Sequence, residues 1–100
     1  MTLILIDSKL QEAIQKLNDA HLWTVDCCEG HFTDAIPNTY ISFVNSVRFS
    51  DAPKDFILEK NGTVIRYIYR NRKSREGFRK EQIEVLKNLN SWIEQKTKSR

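Results

Sequence analysis

The side chains best suited to chemistry crowd into one short stretch. Both histidines and both cysteines of the 100-residue chain fall between His21 and His31, with Asp26 and Glu29 among them. Cys28 and His31 stand at a metal-ligand spacing, and zinc accepts such nitrogen and sulfur donors tetrahedrally. Two features argue against a zinc site. Neighbouring strand residues point to opposite faces, so Cys27 and Cys28 cannot serve one ion, and no second Cys-x-x-Cys or His-x-x-x-His pair completes a donor set. No metal and no cofactor are therefore expected. Cys28 as nucleophile with His31 as base is a second reading. It needs a third group to orient the imidazole and an oxyanion hole, neither of which is legible, so no catalytic residue is assigned and the chain is expected to be non-enzymatic. A third reading suits the turn: Cys28-Glu29-Gly30-His31, at a strand's end, can aim backbone N–H groups and an imidazole at an anion. Its bland counterpart is a glycine turn with an exposed histidine.

The second concentration is basic. Arg66, Arg70, Arg72, Lys73, Arg75, Arg79 and Lys80 lie within one fifteen-residue segment, interleaved with Tyr67, Tyr69 and Phe78. Guanidinium forks bind phosphate bidentately and aromatic rings stack on bases. Arg66 and Arg70 share a strand face and are expected to converge on one phosphorylated ligand; the plain alternative puts the tyrosines in the core and the arginines on a solvated face. The charge of the whole chain is divided in the same sense. Residues 1–60 carry a net charge of −4 and residues 61–100 a net charge of +7. That asymmetry calls for an anionic partner, or for the two halves to attract each other within or between subunits.

The elements that must hold these groups can be read from periodicity. Leu3 to Ile6 is a candidate short strand, and Ser8-x-x-Gln11 has the form of a capping box. Leu10, Ile14 and Leu17 then give the apolar stripe of a helix over about 9–20. Leu22 to Cys28 alternates as a strand, with Trp23, Val25 and Cys27 on one face. Tyr40 to Val44 is another strand. Asn61-Gly62, between β-prone runs, predicts a hairpin with a two-residue type I′ turn; on its second arm Ile65, Tyr67 and Tyr69 face one way. From Ser74 or Arg75 to Gln95, Phe78, Gln82, Val85, Leu89, Trp92 and Ile93 fall on one helical arc, and residues 96–100 form a basic tail expected to fray. The order (β)-α-β-β-β-β-α predicts a single α+β domain over 1–95, a largely antiparallel four- to five-stranded sheet with two helices on one face.

Composition bounds the class. Forty per cent hydrophobic residues, 29% charged and ten aromatics describe a folding globular chain. The longest apolar run, Leu3 to Ile6, is far short of the ~20 residues that span a bilayer, and no signal peptide is legible, so a cytoplasmic protein without membrane contact is expected. Two adjacent cysteines make no disulfide framework. The wide apolar arc of the last helix predicts a homo-oligomer, with Leu89, Trp92 or Ile93 in the contact.

Leu17-Asn18, Thr24, Cys27-Cys28-Glu29-Gly30-His31 and Tyr40-Ile41-Ser42-Phe43 together resemble a pattern in small proteins of bacteriophages and prophages. There a helix ending Leu-Asn leads to a strand ending Cys-x-Gly-His, followed by a Tyr-Ile-x-Phe strand. The resemblance spans about residues 10–45, and the pattern often carries Gly where this chain has His21. It implies an accessory protein of a class that counters host defence by binding a signal molecule or a host protein. The resulting expectation is a phosphorylated small ligand, a nucleotide or nucleotide-derived signal, held by Cys28, Gly30, His31, Arg66, Tyr67, Tyr69, Arg70, Arg72, Arg75 and Arg79. The alternative is an inhibitor of a host nuclease that offers its 66–80 segment to an acidic protein groove or to nucleic acid.

Overall fold

A computed structural model describes residues 9–98, so the Leu3–Ile6 strand and the Ser8 cap lie outside the described residues. The first helix, α1 (Gln11–Asp19), buries Ala13, Ile14 and Leu17, with Leu10 buried at its N-cap position. Its end has a definite chemistry. His21 adopts φ 64°, the Leu22 N–H donates to the Leu17 carbonyl (2.9 Å) and the His21 N–H to the Asn18 carbonyl (3.0 Å). These are the two bonds of a Schellman stop, whose left-handed position is usually glycine. His is among the residues that tolerate that region, which gives His21 a structural task of ending the helix.

Strand β1 (Thr24–Cys28) is shorter than expected, and its facing differs. The register slips between Thr24, opposite Phe43, and Asp26, opposite Ser42, so Val25 is an extra residue. That bulge breaks the alternation. Cys27 packs against the core, whereas Trp23 and Val25, expected on the same face, are about half exposed.

Strand β2 (Asn38–Phe43) alternates cleanly, with Thr39, Ile41 and Phe43 buried. Strand β3 (Ile57–Glu59) pairs with β4 (Val64–Ile68), and the sheet is antiparallel in the order β1-β2-β4-β3. The hairpin at Asn61-Gly62 is present, but its turn is not the two-residue type I′. Glu59 pairs with Val64, so four residues turn the chain, and Lys60, Asn61 and Gly62 are all left-handed. Gly62 is required there, because a Cβ would come within 2.3 Å of the Phe49 carbonyl oxygen. The β2–β3 connection docks on this loop through the Phe49 N–H and the Gly62 carbonyl (2.9 Å).

The long helix α2 (Arg75–Thr97) begins where Ser74 accepts from the Gly77 N–H (3.1 Å), and buries the predicted arc. Leu89, Trp92 and Ile93 are 0%, 5% and 0% exposed against the chain's own α1 and sheet. The expected intersubunit contact through them is therefore corrected: these side chains are core. The helix also runs two residues beyond its predicted end, and Lys96 is an ordered partner of Asp51 (2.7 Å). Both helices cover the face bearing Ile41, Ile65, Tyr67 and Tyr69. The other face is open and carries a polar chain across four strands. The Tyr40 hydroxyl donates to Asp26 (2.7 Å), and the Arg66 guanidinium lies 4.9 Å from the Tyr40 ring centroid. Arg66 in turn donates to Glu59 and Asn38, both at 2.7 Å.

Candidate anion-binding cleft

The turn after β1 is held from beneath by a buried polar cluster. The Glu29 carbonyl accepts from the Thr39 hydroxyl (2.6 Å) and the Gln82 amide (2.9 Å), and the same amide reaches the Gly30 carbonyl (3.0 Å). The Tyr69 hydroxyl bonds the Thr39 hydroxyl (2.6 Å). Buried carbonyls left without donors would cost about 1–3 kcal/mol each, so these contacts lock the turn to β2, β4 and α2 at once. Burial pushes the Tyr69 phenol above its ordinary pKa. Gly30 is left-handed at φ 88°, with the Tyr69 ring and the Asn38 carbonyl directly over its missing side chain.

Above this base lies a cleft of ≈ 460 Å³ between the turn and the first two turns of α2, with Lys9, His31, Arg75 and Arg79 on its walls and Phe32 and Phe78 as its apolar part. The Arg75 guanidinium sits 5.1 Å from the Phe32 ring centroid, and Phe32 meets Phe78 edge to face. Lys9 bonds the Glu29 carboxylate through its backbone N–H (3.2 Å) and its ammonium (3.1 Å), so its charge is partly matched. Among the described residues no acidic side chain lines this cleft, although the Glu29 carboxylate stands behind its wall, bonded to Lys9.

Of the residues expected to bind a ligand, Gly30, His31, Arg75 and Arg79 come together here. The rest do not. Arg66 and Arg70 do not converge: Arg66 is held on the open face by Glu59 and Asn38, while Arg70 lies past the end of β4. Arg70 borders a separate hollow of ≈ 600 Å³ with Arg72 and Lys73. Arg72 donates to the Tyr69 carbonyl there (2.9 Å). The proposed stacking by Tyr67 or Tyr69 is corrected too. At 8% and 0% exposure they are core rings packed edge to face, buried too deeply for a base to stack on them, although both border the hollow beside Arg70. Cys28 faces the open side of the sheet opposite Tyr40, and joins His31 through a different grouping. Cys28, His31 and Asp34 each offer a donor atom within 4.8 Å of the others.

Sequence reading missed Lys9, Phe32 and Gln82 at the cleft and Asp34 beside it. Asp34 had a signal, since it repeats the three-residue step from Cys28 to His31. Gln82, a polar residue within an apolar helical arc, was another. Lys9 had none, because only the tertiary fold brings it beside Glu29.

Compared with known proteins, the chain matches no family model, no curated protein and no solved structure. Its functional reading therefore rests on the chemistry of the cleft.

Proposed function

We propose that this chain is a non-enzymatic binding protein that takes a phosphorylated small ligand, of the nucleotide class, in the cleft between the Gly30 turn and α2. The observation that carries the reading is the approach of Arg75, Arg79 and the His31 imidazole to one concave site whose lining, among the described residues, holds no acidic side chain. Arg forks and an imidazole N–H suit phosphate oxygens, and charge-assisted bonds of this kind contribute about 1.5–3 kcal/mol each. Phe32, half-buried and flanked by Arg75, is the aromatic surface available to a base or sugar in place of the core tyrosines. A role as a phage accessory protein that withholds a signal from its host agrees with such a site.

Binding is tested by titrating inorganic phosphate and a panel of mononucleotides into the purified chain by calorimetry and thermal shift. At least one nucleotide is expected to raise the melting temperature, and Arg75→Ala with Arg79→Ala to weaken it at least about tenfold, the equivalent of 1.4 kcal/mol. No shift with any phosphorylated probe, or a double variant that binds as the parent does, would remove the reading.

One observation favours a second reading. Arg70, Arg72 and Lys73 border their own hollow on the other side of the connector to α2, so the cations spread beyond a single pocket. That spread suits a polyanion or an acidic protein groove, as a nuclease inhibitor would require. Salt separates the two, because polyanion binding falls steeply with ionic strength in proportion to the phosphates contacted.

A further inference from the structure

We propose that Cys28, His31 and Asp34 form a three-donor site for a thiophilic divalent cation, zinc foremost. The sequence argued against a metal for want of a third donor, and the structure supplies one. One ligand atom from each of the three side chains lies within 4.8 Å of the other two. A thiolate, an imidazole and a carboxylate are together a donor set for zinc, whereas hard cations such as Mg²⁺ prefer oxygen alone. Tetrahedral zinc, with bonds of about 2.0–2.3 Å, sets its donors about 3.3–3.7 Å apart. The three must therefore draw in by about an ångström, which rotation of the exposed His31 and Asp34 side chains can supply.

The backbone around the three is already fixed in a suitable form. The Asp34 N–H donates to the His31 carbonyl (3.0 Å), and the His31 N–H donates to the Asp34 carboxylate (3.0 Å). The preceding residue pair, Glu29-Gly30, is tied down by Thr39 and Gln82, so Cys28 and His31 cannot drift apart. The imidazole also stands between two carboxylates. Its Nδ1 lies 3.6 Å from the Asp34 carboxylate, and its Nε2 lies 4.0 Å from the buried carboxylate of Glu29. A carboxylate behind a ligating histidine is the usual outer partner of such a ligand. Glu29 is itself held by Lys9 (3.1 Å). His31 and Asp34 are 51% and 40% exposed, so the fourth coordination position opens to solvent and would take water or an anionic oxygen.

This inference shares His31 with the phosphate reading and is told apart from it by Arg75 and Arg79, which only the phosphate reading needs. The test uses Co²⁺ and Zn²⁺ as probes on the chelator-treated full chain. Co²⁺ is expected to bind in a single equivalent with a thiolate-to-metal charge-transfer band, to be displaced by Zn²⁺, and not to be displaced by Mg²⁺. Cys28→Ser should abolish the band and Asp34→Asn should lower Co²⁺ affinity at least about tenfold. Cys27→Ser, and Arg75→Ala with Arg79→Ala, should leave both unchanged. Far-ultraviolet dichroism of each metal-free variant reports whether it still folds. Absence of the band in the parent chain would overturn the site, as would a band that survives Cys28→Ser, one lost in Cys27→Ser, or parental affinity in Asp34→Asn.

Discussion

Gly30 is the residue on which the candidate site turns, for two separate reasons. Its φ of 88° lies where a side chain with a Cβ is strained by about 1–2 kcal/mol. A Cβ built there also sits 2.8 Å from the Tyr69 ring and 2.9 Å from the Asn38 carbonyl oxygen. The ring cannot simply swing aside, because its hydroxyl is held by Thr39 in a fully buried position. Overpacking of that kind costs about 1–3 kcal/mol on its own. Gly30→Ala is therefore expected to lower unfolding free energy by about 2–5 kcal/mol, read from the urea midpoint at unchanged slope. A loss below about 1 kcal/mol would mean that β2 yields to the methyl group, and that the turn is softer than its hydrogen bonds imply.

At the scale of elements, the joint between β4 and α2 is organised by one carboxylate. Glu81, in the second turn of α2, accepts from the Tyr67 hydroxyl and from the backbone N–H groups of Arg70 (3.0 Å) and Asn71 (2.8 Å). Burial alone would raise its pKa, but the Tyr67 hydroxyl and the two backbone donors outweigh that, and the carboxyl lies below its ordinary value. A carboxyl lowered in the folded state stabilises the fold above its unfolded pKa of about 4.3, and that contribution is lost as pH falls through the lowered value. Glu81→Gln should thus melt below the parent chain at pH 6, and the gap should narrow steadily as pH falls below the ordinary carboxyl pKa of about 4.3. A gap that is constant with pH would assign the effect to packing. This joint also marks the limit of what the sequence discloses. The apolar arc of α2, its start at Ser74 or Arg75 and the inward face of β4 were legible, because each is a local pattern. The Val25 bulge and the four-residue turn at Lys60–Thr63 were not, because the partner strand and the docked Phe49 backbone impose them. Glu81 carried no local mark, since its partners lie ten to fourteen residues away.

Across the whole molecule the sheet divides two environments, and all three tyrosines report on that division. Tyr67 and Tyr69 lie on the helix-covered face, where burial is the leading cause that lifts both phenols above their ordinary range. Tyr40 lies on the open face, yet its hydrogen bond to Asp26, then burial, then the Asp26 charge lift it to about 12. A phenol raised in the folded state contributes stability that is complete below its unfolded pKa of about 10 and is lost as pH rises through the folded value. Tyrosinate absorbance should therefore stay low through pH 10 in the native chain, then appear together with loss of the far-ultraviolet dichroism. In denaturant the same three phenols should titrate near pH 10. Asp26→Asn removes the charge that faces Tyr40 and should release a single phenol to titrate earlier while the dichroism persists. If the parent chain instead ionised all three near pH 10 with its dichroism intact, the buried Thr39–Tyr69 and Glu81–Tyr67 links would not hold in solution. The anchoring of the Gly30 turn by Tyr69 would fall with the first of them.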